Sequence, residues 1–195
     1  MKSRDQILAA VKANQPPLSP LPALDSFSRA QENHLIEEFI TVLTSIGGEA
    51  SLATDFEAIC TTIERNYQLT DKRVVSTLPE MQQIASILKA EDDPHQLANV
   101  ELAILPAHFA VAENGACWLS EALLPNRVLP FITQHLVLIV NRETVLPTMH
   151  EAYEKIGLLS YNYGVFIAGP SKTADIEQSL VIGAHGARSL RIFLI

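Results

Sequence analysis

Two glycine-bounded loops near the end of the chain hold the residue types from which a ligand site can be made. The first follows the apolar run Val165-Phe166-Ile167 and reads Gly169-Pro170-Ser171-Lys172-Thr173, with Asp175 and Glu177 just beyond it. Small residues let backbone approach a ligand, and a lysine adds positive charge. A strand end running into a helix start offers unpaired N–H groups, so the pattern suits an anion. The alternative reading is a capped helix start, with Ser171 or Thr173 as N-cap. A P-loop is excluded, because Gly164 lies inside the apolar run and Pro170 stands where the lysine belongs. A nucleophile elbow fails as well, with Thr173 in place of the second glycine. Asp175 and Glu177, two apart on a helix, point to nearly opposite sides and form no carboxylate pair. The second loop is Gly183-Ala184-His185-Gly186, in which His185 is either an acid, base or hydrogen-bond donor for the same site or a solvent-facing turn residue. Glu113 is followed by Asn114-Gly115 between two apolar runs, and Asn-Gly there predicts a type I′ hairpin.

Metal chemistry is not expected. Cys60 and Cys117 are far apart with no CxxC, and His34, His95, His108, His135, His150 and His185 include no HxH or HExxH pattern. Both cysteines read as buried small hydrophobes and Trp118 as a core residue. No cofactor is assigned by the sequence.

The charge balance narrows the partners. With 14 Lys plus Arg against 22 Asp plus Glu, the formal net charge of −8 disfavours nucleic acid and anionic membrane surfaces. Residues 141–195 are nevertheless balanced, Arg142, Lys155, Lys172, Arg188 and Arg191 facing Glu143, Glu151, Glu154, Asp175 and Glu177, so that quarter can host a small anion. The longest strongly apolar run, Leu136 to Val140, is far short of the ~20 residues of a membrane span. The start, Met1-Lys2-Ser3-Arg4-Asp5-Gln6, has an acid and an amide where a signal peptide needs its apolar stretch, so a cytoplasmic location is expected.

These residues need a scaffold, and the 195-residue length with 48% hydrophobic residues allows one sizeable core. Ser3 and Gln6 form a capping-box pattern ahead of Ile7, Leu8 and Val11, predicting a short amphipathic helix free to pack elsewhere or on another subunit. Pro16, Pro17, Pro20 and Pro22 stop it in a linker from Asn14 to Ala23. The expected organisation is therefore an N-terminal helix and Pro-rich linker over residues 1–24 and an α/β domain over 25–195. A helix is predicted from Ser28 to Ile46, ended by Gly47-Gly48. Thr54 with Glu57 then caps a helix through Ile63, Arg73 to Ser76 reads as a strand, and Pro79 opens a helix to Leu88. Val100 to Leu105 and His135 to Val140 read as strands, Pro147 to Ile156 as a helix and Gly164 to Ala168 as a strand. Thr173 to Val181 reads as a helix and Leu190 to Ile195 as the last strand. The fold class is α/β, a mixed sheet with helices on its faces.

Residues 169–186, GPSKTADIEQSLVIGAHG, closely resemble the signature of the LUD-domain family, the lactate utilization protein C group, in which a GPS[KR]TADIE stretch precedes a G-x-HG loop. The resemblance runs over most of the chain. It implies a fold similar to the superfamily of ribose-5-phosphate isomerase, glucosamine-phosphate deaminase and CoA transferases. It also implies a role beside iron–sulfur subunits in oxidising L-lactate to pyruvate. With two distant cysteines, this chain would be the cluster-free accessory subunit, binding a small anionic ligand or cofactor. One departure from the pattern is Asn114, since the family usually has Thr before the hairpin glycine. The resulting Glu113-Asn114-Gly115 resembles the catalytic triplet of CoA transferases, though the glycine run that follows in those enzymes is replaced by Ala116-Cys117-Trp118. The candidate catalytic residues are thus Glu113, His185 and Asp175. The candidate ligand-binding residues are Gly169, Pro170, Ser171, Lys172, Thr173, Glu177, Asn114, Gly115, Gly183 and Gly186. The alternative function is an independent acyl-CoA-dependent transferase or a sugar-phosphate isomerase-like enzyme, and homo-oligomerisation stays open.

Overall fold

Alternation of short β-branched segments with helices dictates a layered α/β architecture, and the computed structural model, which describes residues 3–20, 34–89, 93–174 and 180–195, has one. In chain order it begins with α1 (Ser3–Ala13), α2 (Leu35–Ser45), β1 (Glu49–Leu52), α3 (Phe56–Asn66), β2 (Val74–Ser76), β3 (Ser86–Ile87) and β4 (Leu102–Pro106). It continues through β5 (Phe109–Val111), β6 (Ala116–Ser120), α4 (Leu129–Ile132), β7 (His135–Val140), β8 (Val145–Leu146) and α5 (Met149–Gly157). The last elements are β9 (Gly164–Ile167), β10 (Lys172–Ala174), β11 (Leu180–Ile182) and β12 (Ser189–Leu194).

The strands divide into a parallel six-stranded sheet, ordered β1-β12-β7-β4-β2-β3, and a mixed four-stranded sheet, ordered β8-β5-β6-β9. β10 and β11 pair antiparallel as a separate two-stranded sheet. Continuous apolar runs such as Leu136-Val137-Leu138-Ile139-Val140 mark strands covered on both faces. One face of the parallel sheet, carrying Leu102, Ile104, Val137, Ile139 and Phe193, packs on Ile59, Cys60 and Ile63 of α3. The other, carrying Ala103, Leu105, Leu136, Leu138 and Ile192, meets the inner face of the second sheet through Ala110, Cys117 and Leu119. Phe39 and Leu43 of α2 are buried in this same cluster. The outer face of the second sheet, with Phe109, Val111 and Trp118, is covered by Ala152 and Ile156 of α5.

Several local expectations are corrected. Asp55, not Thr54, is the N-cap of α3, its side chain accepting from the Ala58 N–H at 2.8 Å. The segment after Pro79 forms only a 3-10 turn, Pro79–Met81, because Ser86 and Ile87 are drawn into the sheet beside β2. The helix expected over Thr173 to Val181 is replaced at its ends by β10 and β11, which pair antiparallel, Lys172 opposite Ile182 and Thr173 opposite Val181. The Glu113-Asn114-Gly115 turn is not type I′. Register pairs Val111 with Ala116, so four residues form the loop, and Gly115 alone in it has positive φ, +68°. α1 forms as expected and buries none of its residues, Ile7, Leu8 and Val11 all being exposed. The segment 21–33, which includes the linker end and the expected start of the second helix, lies outside the described residues.

Gly115 is required on two counts. A Cβ in its place would lie 3.1 Å from the Cα of Leu43, against backbone that cannot yield freely, and in the left-handed region. Gly115→Ala is expected to lower stability by about 1–2 kcal/mol in urea denaturation. An unchanged midpoint would show that α2 is not seated against this turn.

Candidate functional site

Chain reversal at Gly169, with φ +74°, places the loop after β9 directly on the end of α2. A Cβ on Gly169 would be 3.0 Å from the carbonyl oxygen of Ile46, so the contact is backbone to backbone. Gly47, at φ +87°, ends α2 and lies against Pro170 and the Lys172 side chain. The Lys172 ammonium donates to the Ile46 carbonyl, one of the carbonyls left without an intrahelical partner at a helix C-terminus, where a cation is favoured.

The two glycine-bounded loops are brought together through Ser171. Its N–H donates to the Ala187 carbonyl at 2.8 Å, and its carbonyl accepts from the Gly183 N–H at 3.1 Å. Gly186 lies so close that a Cβ there would be 3.1 Å from the Ser171 Cβ. The result is a cleft of about 260 Å³ lined by Gly169, Pro170, Ser171, Lys172, His185 and Gly186, with Phe131 forming an apolar wall. Lys172 and His185 are exposed at its mouth. Among the described residues no helix begins at this loop, Lys172–Ala174 being strand, so the structure gives no support to Ser171 or Thr173 as an N-cap or to a helix dipole aimed at an anion. β9 belongs to the second sheet and runs antiparallel to β6, so the loop is not at the carboxyl edge of a parallel sheet. The charge available to an anion is the Lys172 ammonium. Thr173 is a β10 residue, and Asp175 and Glu177 lie outside the described residues.

Glu113 is positioned differently. Its carboxylate accepts from the Met149 N–H at 2.8 Å, and its own N–H donates to the Pro147 carbonyl at 3.1 Å. It therefore binds the first turn of α5, beside the capping box of Thr148 and Glu151, where negative charge meets the helix dipole. Asn114 turns its side-chain oxygen to the Ala116 N–H at 3.0 Å, and Gly115 packs on Leu43. Glu113, Asn114, Gly115 and Gly183 do not line the cleft around Lys172. Among the described residues no group of three or more His, Cys, Asp and Glu could hold a metal ion, and no helix is long and apolar enough to cross a membrane.

Two histidines outside the candidate loops are held in specific pairs. His108, after β4, shares a hydrogen bond with the Ser120 hydroxyl at 2.8 Å, and His135, at the start of β7, shares one with Ser189 at 2.7 Å. Neither pair has a sequence signature, since 12 and 54 residues separate the partners.

A family model described as LUD domain matches residues 82–195, more than half of the chain, and this chain belongs to that family. It is 37% identical over 101 residues to lactate utilization protein C of Geobacillus kaustophilus strain HTA426, a match covering 48% of this chain and 41% of that protein. To lactate utilization protein C of Bacillus pumilus strain SAFR-032 it is 32% identical over 90 residues, covering 43% and 38%. The matched region thus spans less than half the length of these relatives. The crystal structure of a DUF162 family protein from Deinococcus radiodurans shares the fold with a TM-score of 0.60 at 15% identity, over 85% of this chain and 99% of that one.

The two half-buried histidines give the fold a pH dependence. Burial is the first cause that lowers the pKa of both His108 and His135 from 6.5. Lys155 adds to it at His108; at His135, Glu101 opposes while Arg188 and Lys72 add. Because the folded pKa lies below the unfolded one, the unfolded chain takes up protons first, and stability is full above the ordinary value and lost as pH falls through it. The urea midpoint is expected to be lower at about pH 5 than at about pH 8, with a smaller gap in the His108→Gln/His135→Gln double variant. An equal gap would assign the acid sensitivity to other groups.

Proposed function

We propose that this chain acts in lactate utilisation as a cluster-free accessory subunit, and that the cleft around Lys172 and His185 takes a small carboxylate or a similarly anionic group. The carrying observation is the joining of the two signature loops through Ser171, which sets Lys172 and His185 on one cleft. The kinship with lactate utilization proteins supplies the metabolic context.

Chemically, the Lys172 ammonium would exchange part of its bond to the Ile46 carbonyl for a charge-assisted bond to the ligand, and Phe131 would exclude water from one side of it. His185 would donate to a second ligand oxygen or move a proton to or from it. Partners carrying iron–sulfur clusters would perform the electron transfer, and this chain would present the ligand or complete the assembly. The alternative, an acyl-transfer enzyme using Glu113, would require that carboxylate to give up its bond to the Met149 N–H.

Lys172→Met, His185→Ala and Glu113→Gln separate these readings in a host that depends on this chain for growth on L-lactate. A lost hydrogen bond to a charged group is worth roughly 1.5–3 kcal/mol, so Lys172→Met is expected to weaken ligand binding about tenfold or more and slow growth. Lys172→Arg should restore it. Glu113→Gln, which keeps an acceptor for Met149, should grow as the parent does. Parental growth of both the Lys172→Met and His185→Ala variants with unchanged melting temperatures would refute the proposed site.

A further inference from the structure

The parallel sheet carries a polar layer where an apolar one is expected. Register aligns His135 with Ser189 and with Leu102, and Arg191 with Glu49, and the alternation of side chains puts His135, Ser189, Arg191 and Glu49 on the face that α3 covers. Further along the same strands that face is apolar, Val137, Ile139 and Phe193 packing on Ile59 and Ile63. α3 ends at Asn66, and the residues that follow it, Tyr67 to Leu69, line a cavity of about 410 Å³ together with the polar layer.

Polar groups on central strands cost free energy unless they are satisfied. Here most are, and one is not. His135 shares a hydrogen bond with Ser189 at 2.7 Å and packs against the Tyr67 ring, centroids 5.4 Å apart. Arg191 binds Glu49, and its side chain is only 18% exposed, yet its Nε–H is buried with no partner. On the same cavity Lys72 pairs with Glu101 at 3.3 Å. The lining therefore holds two cations and two carboxylates, and one of the cations, Arg191, keeps an unpartnered donor.

We propose that this cavity is a second ligand site, distinct from the Lys172 cleft, and that it binds a free α-amino acid. The ligand carboxylate satisfies the Arg191 Nε–H and approaches Lys72, while its ammonium is taken by Glu101 and by the negative end of α3 at Asn66 and Tyr67. A net-neutral lining with charges of both signs suits a zwitterion better than a simple anion, which gains from the two cations but is repelled by the two carboxylates beside them. The Tyr67 and His135 rings supply the apolar contact for its side chain.

The test titrates the full chain with each of the common L-amino acids, reading the His135 imidazole and the Tyr67 amide by NMR, with L-lactate and propionate as the isosteres of L-alanine that lack the ammonium. At least one amino acid is expected to saturate these signals with a dissociation constant of about 1 mM or tighter. Lys72→Met and Glu101→Gln, both at partly exposed positions, should each weaken it about tenfold, whereas Lys172→Met should leave it unchanged. Failure of every amino acid to saturate the His135 signal would overturn the proposal, as would L-lactate binding there as tightly as L-alanine. Neither result bears on the Lys172 cleft, whose variants are read by growth.

Discussion

The last turn of α2 is where the molecule is tied together. Phe39 and Leu43 fill the cluster shared by both sheets, and the turn that follows offers the Ile46 carbonyl to two visitors, the Gly169 backbone and the Lys172 ammonium. Gly115 of the second sheet packs on the Leu43 backbone from another side. Each of these approaches needs the space of a missing side chain, so the position of α2 sets the spacing between the sheets and the shape of the cleft at their edge. A helix C-terminus with unpaired carbonyls is also an electrostatic seat for a lysine, which explains how Lys172 is held at the cleft without a buried carboxylate.

Strand periodicity made the parallel sheet legible before the fold was known. The run from His135 to Val140 corresponds residue for residue to β7, and the final strand and the strand at Val74–Ser76 are placed within a residue or two. Failures fell where tertiary pairing outweighed local pattern. Residues 172–174 and 180–182 have a capped-helix pattern, yet β10 and β11 pair with one another instead. Ser86 and Ile87 likewise leave a helical pattern to extend the sheet beside β2. The glycine loops stood out in the sequence because small residues around Lys172 and His185 are rare punctuation in an apolar context, and the structure brings the two loops together. Their joining through Ser171 depends on backbone bonds that carry no residue-type signal.

The polar layer under α3 had no signature for the opposite reason. His135, Ser189 and Arg191 each alternate correctly with apolar neighbours on their own strands, and only parallel register sets them on one face. The structure thus separates two polar regions, one lined by the glycine loops beside the end of α2 and one at the amino ends of β7 and β12.

The most direct measurement is a titration of the full chain with L-lactate and with pyruvate, followed through the backbone amides of Gly47, Ser171, Lys172, Gly183 and His185. The account predicts that these signals move together with a single dissociation constant, because Ser171, Lys172 and His185 line one cleft while Gly47 lies against Lys172 and the Gly183 N–H is bonded to Ser171. Shifts confined to one loop, or none at these residues while others respond, would contradict it.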